Sequence, residues 1–339
     1  MIRYKCIASF TKRSLRGEPF TVYREEPLVP RIDDKFLDCS AYLYPCQADA
    51  ERGERIGATA FLVAVPGFGP GWLLDGQCPW RDFHHCYIVS NRHVAQANTV
   101  VRLNTDDGRF DVLPFTSDDW AFSFEHDLAV VPIEYNKAHN YLFVTTELFL
   151  TKEKAAHHDV GIGDEVFMVG RFISHDGKQR NSPSIRSGRV AMMPGEPVHH
   201  PSNPTHEQVS FLVEMRSISG YSGSPVFVRP TPTEKLLTFP GSGGNTAVRE
   251  YSNWPGMPPM AGGPWLLGVD WGYINKHDEH ANNSGVSGVV PAWHLLDLLN
   301  TDRFVMQRKI EQESAIKRAK QEGTTETNTA AVVFLKTDT

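Results

Sequence analysis

The sequence predicts an all-β protein, a barrel or a sandwich, and three observations carry that prediction. Short apolar runs rich in β-branched and aromatic residues recur along the chain. Clusters of Gly, Pro, Asn and Asp bound them, and no regular alternation with helical segments intervenes. No internal repeat is visible. The composition agrees: 339 residues with 40% hydrophobic and 22% charged side chains are ordinary for a globular protein able to bury a substantial core.

Residues 1–50 read as a mixed N-terminal extension, with Arg24-Glu25-Glu26-Pro27 and Val29-Pro30-Arg31 extended or irregular. From Gly57 to Val65 the chain is a β-type run, stopped by Pro66-Gly-Phe-Gly-Pro70. Cys86–Ser90, Thr99–Leu103 and Asp127–Ile133 follow as strands, the second turned by Asp106-Asp107-Gly108. After a stretch of mixed polarity holding His157-His158, strands resume at Glu165–Val169, Ser184–Met192, Val209–Glu214 and Pro225–Val228. Arg229 to Pro264 is rich in Pro and Gly and reads as a long insertion loop, a kind that is usually functional or mobile. Trp265–Asp270 and Gly285–Val290 are the closing strands. Pro291 then sits at the first position of a helix. From Thr301 to about Lys320 the chain is charged and helix-prone, and the polar run from Glu322 predicts a disordered tail.

Charge and cysteine usage exclude several classes. A formal net charge of −6 without a basic excess gives no footprint for nucleic acid. No apolar run is long enough to span a bilayer, so no membrane partner is expected. The N-terminus lacks a charged head followed by an apolar segment, so no secretory signal is expected. The five cysteines (Cys6, Cys39, Cys46, Cys78, Cys86) are an odd number, which fits reduced thiols in a cytoplasm. Cys78, His84, His85 and Cys86 match no common zinc spacing, so neither a metal nor another cofactor is expected.

Three motifs carry chemistry. They are His93 in Ile88-Val-Ser-Asn-Arg-His-Val94, Asp127 in His126-Asp-Leu-Ala-Val-Val131, and Ser222 in Gly220-Tyr-Ser-Gly-Ser-Pro225. A serine hydroxyl needs a base, and the base needs an orienting group. Each residue alone also has a structural reading, but the order His, Asp, Ser is that of the chymotrypsin-type triad. An α/β-hydrolase elbow requires glycine two residues after the nucleophile and then a helix. Here that position is Ser224, and Pro225-Val-Phe-Val reads as a strand.

On these residues the sequence resembles the trypsin-like serine peptidases, most closely the bacterial HtrA/Deg-type branch, over about residues 55 to 300. Ser90-Asn-Arg-His-Val-Ala is similar to that family's Thr-Asn-x-His-Val element and Asp127-Leu-Ala-Val to its Asp-Leu-Ala-Val element. Gly163-Asp-Glu-Val-Phe-Met-Val-Gly170 is similar to a Gly-Asp-x-Val strand. Gly220-Tyr-Ser-Gly-Ser-Pro matches Gly-Asn-Ser-Gly-Gly-Pro apart from Tyr221 and Ser224.

The resemblance implies two six-stranded β-barrels, at about 51–150 and 160–298 of a peptidase domain spanning 51–300, followed by a charged helical extension and tail at 301–339. It implies His93, Asp127 and Ser222 as catalytic residues. Backbone N–H groups of Gly220 and Ser222 would form an oxyanion hole, and Asp270, Trp271 and Gly272 would line one wall of the substrate pocket. Arg216, six residues before the serine, would favour an acidic or polar side chain at the pocket base; equally, it reads as a surface residue paired with Glu214 or Asp270. Tyr221 stands where digestive relatives carry an aspartate that pairs with a new N-terminus, so activation by that route is not expected. Ser224 adds a Cβ where the family has glycine, which leaves the turn geometry open. No C-terminal peptide-binding domain is recognisable.

The expected function is a bacterial, cytoplasmic serine endopeptidase acting on protein or peptide substrates, with an activating protein partner for the arm or tail. The alternative is a catalytically silent module of the same fold that binds peptides or partners. Esterase activity on small acyl substrates would use the same triad.

Overall fold

A computed structural model describes residues 6–13, 19–25, 31–55, 57–67, 84–134, 136, 138–172, 177–200, 203–215, 220–231, 234–241, 244–251, 263–274 and 285–322. Arg216, Cys78 and the tail beyond 322 lie outside them. The chain divides into two compact units, Met1–Asp33 with Pro232–Ala261, and Asp34–Thr231 with Gly262–Thr339. The smaller unit opens with strands β1 (Cys6–Arg13) and β2 (Pro19–Glu25), an antiparallel hairpin.

The larger unit begins with a short 3-10 helix at Asp34–Cys39, which leads into β3 (Ser40–Tyr44), helix α1 (Gln47–Arg52) and β4 (Ala58–Pro66). Then come β5 (His84–Ser90), the one-turn α2 (Arg92–Ala95), β6 (Val100–Asn104), β7 (Phe110–Pro114), β8 (Ala121–Phe122), β9 (Ala129–Ile133) and β10 (Val144–Thr145). These strands form one sheet in the order β7-β6-β3-β4-β5-β9-β8, with β10 parallel to β4. Ala60, Leu62, Ile88, Val101, Val131 and Phe143 fill its concave side.

Helix α3 (Lys152–His157) is followed by β11 (Glu165–Arg171), β12 (Pro183–Met192), the small hairpin of β13 (Val198–His200) and β14 (Asn203–Gln208), β15 (Phe211–Glu214) and β16 (Pro225–Arg229). In the smaller unit β17 (Glu234–Gly241) and β18 (Gly244–Tyr251) pair in register. Back in the larger unit, β19 (Trp265–Tyr273) and β20 (Val286–Pro291) complete a closed six-stranded barrel, β11-β12-β15-β20-β19-β16. Its core includes Val166, Met168, Phe211, Val226, Leu267 and Val289. Helices α4 (Ala292–Leu299) and α5 (Asp302–Glu322) end the described chain. Among the described residues no helix is long and apolar enough to cross a membrane.

This is the all-β, chymotrypsin-like arrangement that the resemblance implies, with three differences. The first half is a curled sheet whose edge strands β7 and β8 do not pair among the described residues. Strands β8 and β10 contribute only two residues each, β8 pairing with β9 and β10 with β4. The sheet also draws on residues before 51: β3 lies between β6 and β4, and Phe36 packs edge-on against Phe167 and Phe227 at 5.0 Å. Finally, the stretch read as a loop from 229 to 264 holds the β17–β18 hairpin. Its antiparallel ladder runs without a register shift from Glu234 opposite Tyr251 to Gly241 opposite Gly244.

Helix α5 does not stand free. Phe304 is fully buried and stacks edge-on against Tyr87 of β5 at 5.4 Å. Arg308 donates to the Tyr87 hydroxyl (3.3 Å) and to the Leu299 carbonyl (2.7 Å), and Glu311 meets His85 Nδ1 at 2.5 Å. Burial pushes the His85 imidazole below its ordinary range despite that carboxylate, and pushes the Cys86 thiol up to about 12.

Candidate active site

His93 lies on α2, the single helical turn reached directly from β5. Asp127 closes the loop before β9, and β5 and β9 are neighbours in the sheet, so antiparallel pairing brings the two residues together. The Asp127 carboxylate uses both oxygens on one residue: Oδ1 accepts the His93 backbone N–H at 2.9 Å, and Oδ2 lies 2.6 Å from His93 Nδ1. Asp127 is 5% exposed, and the His93 side chain is about one-third exposed. Asn91 Nδ2 donates to the Asp127 carbonyl (2.9 Å), and Arg92 donates to the Ser123 carbonyl (3.1 Å). A buried carboxylate that holds both the backbone and the ring of one histidine fixes which nitrogen faces it and leaves Nε2 for other work.

Ser222 sits in a turn between Gly220 (φ +93°) and Gly223 (φ +86°), both in backbone conformations that disfavour a Cβ. A side chain at Gly223 would also come within 2.0 Å of the Thr59 carbonyl. The turn is docked on β4 by Thr59: its N–H donates to the Ser222 carbonyl (3.1 Å) and its hydroxyl to the Gly220 carbonyl (2.9 Å). The Thr59 carbonyl accepts from Ser90 Oγ at 2.8 Å, three residues before His93. On the other side the turn is tied to β19, with Gly223 N–H to the Asp270 carbonyl (2.8 Å) and Asp270 N–H to the Ser224 carbonyl (2.9 Å). Strand β5 therefore presents the histidine and, through Thr59, braces the serine.

The Ser222 hydroxyl donates to the Trp271 carbonyl at 3.4 Å, a long bond. Gly272 (φ +133°) lies beside the hydroxyl: a Cβ there would be in ordinary contact with Ser222 Oγ at 3.8 Å. Among the described residues the N–H groups of Gly220 and Ser222 have no acceptor.

The two departures noted in the sequence have structural explanations. Ser224 is fully buried and not in the left-handed region; its Cβ fits because a Cβ at Gly170 would lie only 2.2 Å from Ser224 Oγ. Tyr221 points inward, its hydroxyl 2.8 Å from Ser184 Oγ and its ring 4.7 Å from the Arg186 guanidinium. Asp270, Trp271 and Gly272 form an irregular step in the β19–β20 ladder. The Asp270 and Trp271 side chains are buried, Asp270 beside the Ser287 hydroxyl and Trp271 against Gly288. Arg216 falls outside the described residues.

Sequence reasoning missed Gln208, fully buried at the end of β14, whose Oε1 accepts the Asp127 N–H at 2.9 Å. It also missed His126 and His294, whose ring centroids lie 3.7 Å apart with the planes tilted by 33°. Burial, then the neighbouring His126, pushes His294 down to about 4. No group of three or more metal-ligating side chains converges among the described residues.

No protein-family model matches the sequence, and no curated protein does. Solved structures do resemble it. The MamO protease domain from Magnetospirillum magneticum in its apo form is 14% identical with a TM-score of 0.45, the match covering 78% of this chain and 97% of that one. A serine-to-alanine variant of the HtrA-type protease AlgW with a tripeptide is 12% identical (TM-score 0.42; 77% of this chain, 58% of that one). Deg5 is 14% identical (TM-score 0.40; 78% and 88%).

Proposed function

We propose that this chain is a serine endopeptidase in which Ser222 is the nucleophile, His93 the general base and Asp127 its orienting group. The observation that carries this reading is the pair of bonds from one buried carboxylate to the backbone and Nδ1 of His93. That arrangement stabilises the imidazolium formed when Nε2 takes a proton from a hydroxyl. Ser222 Oγ attacks the substrate carbonyl, its proton passing to His93 and then to the leaving amine, and water releases the acyl group by the same route. The N–H groups of Gly220 and Ser222, without an acceptor among the described residues, suit the oxygen that gains charge in this step, where losing one donor typically costs about 10²–10³ in rate. The Ser222–Trp271 bond is long enough to exchange cheaply for one to His93, and such contacts often tighten only with substrate bound.

That same bond favours one rival reading, a silent module whose serine is held away from the base. A fluorophosphonate probe separates the two. Covalent labelling of the full chain that disappears in Ser222→Ala, together with cleavage of an unstructured protein such as casein, supports the peptidase. Absence of both across pH 6–9 leaves the silent module.

A further inference from the structure

Ser222 and Asp127 are connected by a route that does not pass through His93. The Trp271 carbonyl that receives the Ser222 hydroxyl belongs to a residue whose indole Nε1–H donates to Ser210 Oγ at 2.8 Å. Ser210 Oγ–H donates in turn to the Gln208 carbonyl at 3.2 Å. The Gln208 side chain completes the path: Oε1 accepts the Asp127 N–H at 2.9 Å, and Nε2 donates to the Val209 carbonyl at 2.9 Å and faces His126 Nδ1 at 3.1 Å. Ser210, Gln208 and Trp271 are each 0–1% exposed. Gly288 makes room for the indole, since a Cβ there would lie 2.2 Å from the Trp271 ring.

Two physical points give this route weight. A buried backbone N–H without an acceptor is costly, so an acceptor at position 208 decides where the Asp127 peptide sits. The carboxylate is only one methylene from that peptide's Cα, so a displaced peptide displaces both bonds to His93. Gln208 is also the meeting place of otherwise separate segments: the Asp127 loop, the β14–β15 connection and, through the ring contact of His126 with His294, helix α4. The charged and titratable groups around this meeting place are His126 with Glu125, and His294 with Asp297 and Lys152. The acceptor that the Asp127 N–H has in this cluster is Gln208 Oε1, at 2.9 Å.

We infer that Gln208 is a positioning residue of the proposed peptidase, resting on that reading: it sets the Asp127 peptide and couples it, through Ser210 and Trp271, to the carbonyl that holds Ser222. Gln208 touches neither substrate nor reacting atoms. Its loss therefore lowers kcat and leaves KM unchanged, because misplacement by about 1 Å costs on the order of 10²-fold in rate.

The test compares the full chain with Gln208→Met, which keeps the size and removes the acceptor, and Gln208→Glu, which keeps an acceptor. Expected are a roughly 10²-fold fall in kcat with KM within about twofold for Gln208→Met, and recovery to within about tenfold of wild type for Gln208→Glu. Equal kcat in all three, or a loss confined to KM, overturns the inference. A readout independent of turnover is the His93 Nδ1–H proton resonance in Ser222→Ala protein. It is expected to broaden or vanish when Gln208→Met is added and to persist with Gln208→Glu. An unchanged resonance in Ser222→Ala/Gln208→Met sinks the positioning role whether or not the wild type hydrolyses anything. Wild-type inactivity with a lost resonance sinks only the peptidase reading. Should Gln208→Met not fold, Ser210→Ala cuts the same route at the next bond, and the same resonance must broaden; if it does not, the inference fails.

Discussion

Replacing Thr59 by valine tests how the serine turn is held. The side chain is fully buried, and its hydroxyl has two partners: it accepts the Arg171 N–H at 3.0 Å and donates to the Gly220 carbonyl at 2.9 Å. Valine has nearly the same shape, so the substitution removes both bonds without opening a cavity. Arg171 is buried, and its N–H would be left without an acceptor, a loss of about 1–3 kcal/mol. Gly220 is half-buried, so its carbonyl can recover a water and loses about 0.5–1.5 kcal/mol. A methyl buried in place of the hydroxyl returns about 0.8 kcal/mol. The net is a destabilisation of about 1–4 kcal/mol. Urea unfolding followed by tryptophan fluorescence should show it as a lower midpoint at unchanged slope. Thr59→Ser keeps both bonds and should lose only about 1 kcal/mol for the missing methyl. Because one of the two ties from Thr59 to the Ser222 turn is gone, fluorophosphonate labelling of Thr59→Val should also slow while that of Thr59→Ser does not. A Thr59→Val protein within about 0.5 kcal/mol of wild type, labelled at the same rate, would refute the claim that this hydroxyl holds the turn.

Two further expectations concern the C-terminal helices. Phe304→Ala removes the fully buried ring that anchors α5 on Tyr87, at about 3–5 kcal/mol if the helix stays docked, and less if it detaches. Detachment would appear as lost amide-exchange protection from 302 to 315, and retained protection there would contradict the anchoring role. The second expectation is acid sensitivity through His294. Its folded value of about 4 lies below its ordinary 6.5, so the unfolded chain binds the proton first. Stability is full above about pH 6.5 and falls as the pH drops toward 4, by about 1–3 kcal/mol after allowance for partial exposure. His85, also lowered by burial, acts in the same direction. Melting temperatures from pH 7.5 to 4.5 should fall less steeply for His294→Asn than for wild type, and parallel curves would exclude His294 as the source.

What was legible in the sequence is what local chemistry writes into neighbouring residues. Cys86–Ser90 leading into His93 and Asp127 before an apolar run could be read because strand pattern and reactive side chain stand side by side. Gly220 and Gly223 were readable because a turn at positive φ demands glycine. The irregular step at Asp270–Gly272 was not legible, because a one-residue shift in a ladder decides which face a side chain takes and leaves no mark in the local sequence. Ser40–Tyr44 went unread because a strand buried on both faces shows no alternation. In the 229–264 stretch, Pro and Gly outweighed the Leu237–Phe239 and Ala247–Val248 runs that form the hairpin.

The remaining site residues have no local signal to offer, and that follows from their role. Thr59 lies 161 residues from the Gly220 that its hydroxyl binds, and Gln208 lies 81 residues from Asp127. Both are ordinary strand-end polar residues whose neighbours would look the same if they faced solvent. Ser224 is the same case in reverse: by itself it looks like a departure that strains the turn, and only the bare Cα of Gly170, on a strand 54 positions earlier, shows that its side chain has a place. Reactive groups must carry their chemistry with them, whereas the groups that aim them need only the right distance. Distance is set by strand pairing, so the aiming residues become visible only when β4, β5, β14 and β19 are assembled around the turn.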